Sequence, residues 1–200
     1  MDAVSENKKT IQCLTIIGQI EGHQVLPEDI KSTKYEHIMP MLAAIEESDE
    51  IKGLLILINT VGGDVEAGLA IAELISGMSK PTASLILGGG HSIGVPLATS
   101  AGRSFITKSA SMTLHPVRIN GTIIGAEQSY EYLSGMQERI TDFVVSHSNI
   151  SKEIYTSLIS KTGQLANDIG TILSGEEAVK LGIIDQIGGL ADALDFLHKS

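Results

Sequence analysis

The stretch GGGHSIGVPLATSAG, residues Gly88–Gly102, is where an apolar run turns into a helix of small residues. The preceding TASLIL predicts a buried strand, and the three glycines let the backbone turn sharply. Ser92 opens the predicted helix, whose free N–H groups favour developing negative charge. Gly90, Ser92 and Gly94 match the pattern G-x-S-x-G. Locally, a nucleophilic serine and a helix N-cap remain equally open.

Strand and helix patterns alternate around this stretch. The predicted strands are LTIIGQI, GLLILIN, TASLILGGG, SFIT and SMTLHPV. The predicted helices cover about Tyr35–Glu47, GGDVEAGLAIAELISGM, SIGVPLATSAG, about Gly125–Ser148, SKEIYTSLISKTG and SGEEAVKLGIID, with a surface loop at EGHQVLPEDIKSTK. Unbroken apolar strands are typical of a parallel sheet covered on both faces. The alternation predicts an α/β fold of stacked βαβ units, in one domain over residues 1–200 with residues 1–10 disordered.

Composition narrows the class of protein. The chain has 200 residues and a net charge of −10, which gives no electrostatic footprint for nucleic acid or an anionic membrane. Its single cysteine, Cys13, excludes an internal disulfide and a thiolate metal cluster, and its apolar surroundings predict burial. We expect no metal and no cofactor. The absence of a long apolar run and of a signal-like start predicts a cytoplasmic protein without a transmembrane segment.

Two further segments carry groups that a serine hydrolase needs. Gly62 and Gly63 in NTVGGDVEAG end a predicted strand, where their N–H groups can meet an anion or a substrate strand. Taken alone, the pair is better explained by an ordinary strand-to-helix turn. His115 in SMTLHPV ends a later strand, and imidazole is the natural base near neutral pH. A structural histidine is the alternative.

The order and spacing of these segments resemble the proteolytic subunit of the Clp protease family, serine peptidases with a crotonase-like fold. INTVGGDVEAG resembles the family's oxyanion and substrate-strand segment, GGGHSIGVPLATSAG its nucleophile segment, and SMTLHP its histidine segment. ILSGEEAVKLGIID resembles the block near the end of its catalytic core. The resemblance spans roughly Leu14–Asp185. It implies repeated ββα units with a protruding strand–helix handle.

The resemblance also implies roles for individual residues. Ser92 is the expected nucleophile and His115 the expected general base. The expected oxyanion hole consists of the backbone N–H groups of Gly62 and Ile93. The implied substrate-strand segment comprises Gly63, Asp64 and Val65.

The third triad member is assigned to Asp168. Alignment without gaps on ILSGEEA places Gly170 at the acid's position, and a short insertion would bring Asp168 there. An acid at this point would fix the tautomer of His115 and stabilise its imidazolium.

The implied activity is cleavage of polypeptide substrates through an acyl-enzyme. The implied assembly is a homo-oligomer of heptameric rings stacked in pairs. One apolar stripe comprises Tyr132, Met136, Ile140, Phe143 and Val144. By itself it favours packing on the chain's own sheet, whereas the resemblance implies that it is buried between subunits. Docking of an ATP-dependent unfoldase stays open, because the Gly22–Lys34 loop is long and His91 replaces a small residue before the nucleophile.

Three other hypotheses remain. A Ser–Lys dyad would use Lys108 or Lys80, although a base lysine needs burial to lower its pKa. An acyl-CoA enzyme of the crotonase type would need the paired N–H groups but no serine. A catalytically silent assembly would keep only the shape. Labelling of Ser92 by a fluorophosphonate distinguishes a serine hydrolase from the last two.

Overall fold

The computed structural model describes residues 10–119, 124–165 and 168–200, and it contains ten strands and seven helices within them. The strands are β1 (Thr10–Glu21), β2 (Ser32–Lys34), β3 (Ile51–Gly63), β4 (Thr82–Gly90), β5 (Arg103–Ile106), β6 (Ser111–Leu114), β7 (Thr162–Leu165), β8 (Asp168–Ile169), β9 (Thr171–Ser174) and β10 (Gln186–Ile187). The helices are α1 (Tyr35–Glu47), α2 (Val65–Ser76), α3 (Gly94–Thr99), α4 (Ala126–Ser146), α5 (Lys152–Ile159), α6 (Gly175–Lys180) and α7 (Leu190–Lys199). Most of the expected disordered segment, residues 1–9, lies outside the described residues.

A parallel sheet forms the centre of the fold, in the order β10-β5-β4-β3-β1-β2. Strand β6 pairs in parallel with the end of β4, where Gly89 lies opposite Ser111, and β9 runs antiparallel to β6. The predicted α/β architecture is therefore confirmed. Because β3, β4 and β6 are neighbours that run in the same direction, the segments after their carboxyl ends meet at one edge of the sheet.

Aliphatic side chains fill both faces of this sheet. The larger cluster includes Ile16, Ile56 and Ile71 and is covered by the helices that follow the strands. A smaller cluster on the other face places Leu85 and Phe105 against Leu197 of α7. In the described part of the chain, no helix combines the length and apolarity that crossing a bilayer requires.

Several elements differ from the sequence-based expectation. The loop expected at residues 21–34 contains β2, which pairs in parallel with β1. The hydroxyl of Thr33 also accepts from the Ile17 N–H and donates to the Ile17 carbonyl, both at 2.8 Å. Cys13 is exposed, so its predicted burial is wrong. Along β1 the core takes Leu14 and Ile16, which turns Cys13 to the opposite face. Helix α7 and the β7–β8 pair had no recognised sequence signal.

Helix α4 divides into an exposed start and a buried end. Tyr132 is 58% exposed, whereas the rest of the apolar stripe is buried in the same chain: Met136, Ile140, Phe143 and Val144. The expectation that the whole stripe is buried between subunits is therefore wrong. The exposed part of the stripe lies in the first turns of α4. The bend expected at Gly121 lies outside the described residues, while Gly125 has a φ of +80°.

Candidate active site

Ser92 lies in a strained turn between β4 and α3. Its φ of +56° makes it the single non-glycine residue with positive φ among the described residues. Three backbone hydrogen bonds hold the turn. The Ser92 N–H donates to the Thr113 carbonyl at 2.8 Å. The Gly94 N–H donates to the His91 carbonyl at 2.8 Å, and the Val95 N–H donates to the Ser92 carbonyl at 3.0 Å. Such a conformation costs of order 1–3 kcal/mol and recurs at functional sites.

The hydroxyl of Ser92 is not a helix cap. Helix α3 takes Ile93 as its N-cap residue and has no side-chain cap bond. Among the described residues, neither the Ser92 hydroxyl nor the Ile93 N–H has a hydrogen-bond partner. The cap interpretation is therefore wrong. The turn presents a hydroxyl and an adjacent N–H donor that no other described group occupies.

The diglycine segment lies directly against this turn. A Cβ on Gly62 would stand 2.6 Å from the Cβ of Ser92 and 3.2 Å from its Oγ. Gly62 also has a φ of +94°, which side chains rarely adopt. Only glycine fits here without displacing the serine.

Thr60 ties this glycine turn to both neighbouring strands. Its buried hydroxyl donates to the Gly18 carbonyl at 2.6 Å and accepts from the Gly62 N–H at 3.0 Å. Its own carbonyl accepts from the His91 N–H at 3.2 Å. The Gly62 N–H thus has an internal partner in the unliganded chain, unlike the Ile93 N–H.

The three residues after Gly62 have distinct positions. Gly63 has a φ of +150° and lies against Ile20 of β1. The Asp64 N–H donates to the Ile20 carbonyl at 3.0 Å, while its carboxylate caps α2 by accepting from the Ala67 N–H at 2.8 Å. Val65 begins α2.

His115 follows β6 and has a defined ring partner. Its Nδ1 lies 2.7 Å from the carbonyl oxygen of Pro116. Because a carbonyl only accepts, this contact assigns the proton to Nδ1 and leaves Nε2 as the acceptor. Proline at position 116 restricts the backbone of His115 to extended conformations, which favours this geometry.

Ser92 and His115 line one cavity of about 120 Å³. Its remaining lining residues are Gly63, Val65, Ile93, Leu114, Pro116, Val117, Arg118, Ile140 and Tyr155. No hydrogen bond joins the Ser92 hydroxyl to His115 in the described structure. Catalytic hydrogen bonds are often long in unliganded enzymes and tighten on binding.

Helix α4 anchors the segment that carries the histidine. The Val117 N–H donates to the Gln137 side chain at 2.8 Å. Two residues further along α4, Arg139 forms two hydrogen bonds with Glu66 of α2, at 2.7 and 3.2 Å. These contacts tie α4 to the segments after β3 and β6.

His91, beside the nucleophile, is held neutral by its surroundings. Desolvation, and then the nearby His115, lower the pKa of His91 below its ordinary value. Its Nδ1 is sealed from solvent and has no hydrogen-bond partner among the described residues. A protonated ring at this position is therefore disfavoured.

The role of Asp168 stays a prediction, whereas the surroundings of Lys80 and Lys108 argue against a base lysine. The backbone of Asp168 belongs to β8, while its side chain lies outside the described part, so its role stays a prediction. The Lys80 ammonium donates to the carbonyls of Ile45 and Ser48, and Lys108 is exposed. Neither lysine has the buried setting that a base lysine needs.

Sequence reasoning missed Thr60, Gln137 and Tyr155. Thr60 lies two residues before Gly62, and its position there was an available signal. The other two lie on α4 and α5, and no local pattern connects them to the serine turn.

The chain is similar to several known proteins. The model of the Clp protease family, described as "Clp protease", matches residues 7–190. A translocation-enhancing protein TepA from Halalkalibacterium halodurans is 55% identical over 96% of this chain and 75% of that protein. An ATP-dependent Clp protease proteolytic subunit 1 from Protochlamydia amoebophila is 26% identical over 81% of this chain and 78% of its own length. In fold, a ClpP1 mutant from Listeria monocytogenes superposes with a TM-score of 0.71 at 22% identity, covering 91% of this chain and 94% of that one.

Proposed function

The chain belongs to the Clp protease family, and we propose that it is a serine endopeptidase with Ser92 as nucleophile and His115 as general base. The observation that carries the proposal is the convergence of three segments. They follow three different strands: Ser92, in its positive-φ turn, lines one cavity with Gly63 and His115, and Gly62 lies directly against Ser92.

The proposed first step is acylation of the serine. Ser92 Oγ attacks the carbonyl carbon of the scissile peptide bond while His115 Nε2 accepts the hydroxyl proton. The C–N bond then breaks, and His115 returns the proton to the leaving amine. In the second step water loses a proton to His115 and attacks the ester, which releases the new carboxyl end and restores the Ser92 hydroxyl.

Backbone donors would hold the tetrahedral oxyanion. The unpartnered Ile93 N–H adjoins the nucleophile, and one such donor is worth on the order of 100- to 1,000-fold in rate. The Gly62 N–H is the proposed second donor. Since it donates to Thr60 in the unliganded chain, it must turn or share its hydrogen when substrate binds. Gly63, Asp64 and Val65 would lie beside the extended substrate.

Asp168 is the proposed third member of the triad. The Pro116 carbonyl supports the correct His115 tautomer, so Asp168 would mainly stabilise the imidazolium charge. The crotonase-type acyl-CoA hypothesis and the silent-assembly hypothesis leave the strained, uncapped serine unexplained.

The proposed working form is a homo-oligomer of heptameric rings stacked in pairs, acting on polypeptides in the cytoplasm. The exposed first turns of α4 carry Tyr130 and Tyr132, which offer apolar surface for a neighbouring subunit. We propose a role linked to protein secretion or quality control, and the name of the relative, translocation-enhancing protein TepA, supports the first of these. An ATP-dependent unfoldase remains an open partner.

A fluorophosphonate probe tests the proposal. The folded chain is expected to be labelled on Ser92, as located by peptide mass analysis. Ser92→Ala should lose the label and on the order of 10,000-fold or more of peptide hydrolysis. Ser157→Ala, a change at an exposed serine of α5, should keep both. Hydrolysis that survives in Ser92→Ala would overturn the proposal.

A further inference from the structure

Tyr155 lines the Ser92–His115 cavity and combines deep burial with a polar side-chain group. Only 3% of its surface is exposed, yet it carries a polar hydroxyl. Among the described residues that hydroxyl has no hydrogen-bond partner. Buried tyrosine hydroxyls usually find a partner, so an unpaired one beside a cavity needs an explanation.

The ring is firmly placed. Tyr155 lies on α5, which begins at the Ser151 N-cap, and the Tyr155 N–H donates to the Ser151 carbonyl at 3.0 Å. Tyr155 and Ile159, one turn apart, are the two buried residues of this helix. The hydroxyl is absent from the sealed, unpartnered polar atoms of the described structure, so solvent reaches it. Because Tyr155 lines the cavity and is otherwise almost fully buried, the accessible hydroxyl is the part of it that can meet that space.

Size limits what the cavity accepts. Its volume of about 120 Å³ equals roughly four water molecules, at about 30 Å³ each. A side chain of four or five non-hydrogen atoms fits in this volume. Val65, Ile93 and Ile140 form the apolar part of the lining, and Ser92, His115 and Arg118 form a polar part.

We propose that Tyr155 is a specificity-determining residue whose hydroxyl donates a hydrogen bond to the side-chain amide oxygen of glutamine or asparagine just before the scissile bond. This inference rests on the proposed endopeptidase function and deepens it. Burial raises the pKa of Tyr155, so the hydroxyl keeps its proton and acts as a donor. A methionine of similar size fills the space but leaves the hydroxyl unpaired, and a site built for a hydrogen bond rejects such an analogue.

The test compares two peptides that differ only in glutamine or methionine before the cleaved bond. In the wild-type chain, kcat/KM for the glutamine peptide should be about tenfold higher. Tyr155→Phe removes only the hydroxyl and should bring the ratio close to one by lowering glutamine cleavage. Tyr132→Phe makes the same change at an exposed tyrosine and should leave the ratio unchanged. A ratio that Tyr155→Phe does not alter overturns the inference while the endopeptidase stands.

A binding measurement separates this inference from the proposed chemistry. In the Ser92→Ala background, calorimetry with product peptides ending in glutamine or methionine needs no turnover. Tighter binding of the glutamine product, lost on adding Tyr155→Phe, supports the pocket even if hydrolysis fails. Equal binding of both products overturns it.

Discussion

The ring Nδ1 of His115 lies 2.7 Å from the carbonyl oxygen of the next residue, Pro116. This contact fixes the tautomer that a general base needs without any side-chain acid. The remaining task for an acid is to stabilise the positive charge that develops on the ring.

We therefore expect unequal effects within the proposed triad. His115→Ala should remove activity as completely as Ser92→Ala. Asp168→Asn should remove less, because the Pro116 carbonyl still holds the ring. Steady-state kcat/KM for one fluorogenic peptide measures all three variants. Full activity in Asp168→Asn would mean that another group stabilises the imidazolium.

The conformation of Ser92 predicts a trade-off between stability and activity. Ser92→Gly should raise the free energy of unfolding by about 1 kcal/mol, because glycine adopts positive φ without penalty. Ser92→Ala keeps the Cβ and should not gain this stability. Both variants should be inactive. Thermal denaturation of the wild-type chain and the two variants measures these differences in stability. Equal stability of the glycine and alanine variants would contradict the strain argument.

The contact between Gly62 and Ser92 predicts a severe effect from one methyl group. Gly62→Ala places a Cβ 2.6 Å from that of Ser92, so the turn must shift and hydrolysis should fall at least 100-fold. Gly135→Ala is the matched control, since its Cβ meets nothing within 4 Å and lies in helix α4. It should add about 0.5–1 kcal/mol of stability with normal activity. Normal activity in Gly62→Ala would refute the close contact.

The lowered pKa of His91 predicts a pH-dependent stability. A histidine with a lower pKa in the folded chain binds its proton more readily when unfolded. Below about pH 6.5 the unfolded state therefore gains protons first, and stability declines as pH falls. His91→Gln should flatten this decline. Urea denaturation at about pH 7.5 and pH 5.5 checks it, and identical pH dependence in both chains would exclude His91 as the source.

The exposed start of α4 predicts the assembly surface. Tyr130→Glu combined with Tyr132→Glu should give smaller species with reduced activity, because charge replaces exposed apolar rings. Glu131→Gln, between them, should leave the assembly intact. Sedimentation velocity measures the species. A wild-type monomer that is fully active at low concentration would rule out catalysis that depends on assembly.

The sequence predicts those parts of the site that local geometry requires. Glycines mark the turn before Ser92 and the close approach at Gly62, and a histidine before proline marks His115. These signals are local because each residue performs its task through its own backbone. The parallel sheet could also be predicted from the sequence, since its buried strands are continuous apolar runs.

Tertiary contacts account for what the sequence did not predict. Tyr155 reaches the cavity only because α5 packs beside it, and its i, i+4 partner Ile159 looks like ordinary core. Strand β2 pairs with β1, and the Thr33 side chain adds hydrogen bonds to Ile17, sixteen residues away. The stripe on α4 was misjudged for the same reason, as periodicity shows that a face is apolar but not which surface covers it.

The outward position of Cys13 has a practical consequence. It gives the chain one native thiol, so a fluorophore can be attached at a single position without any substitution. Partial burial raises the pKa of this thiol, so maleimide coupling should proceed best at mildly alkaline pH. Mixing donor-labelled and acceptor-labelled copies would then report subunit exchange through energy transfer, in real time and on the unmodified sequence.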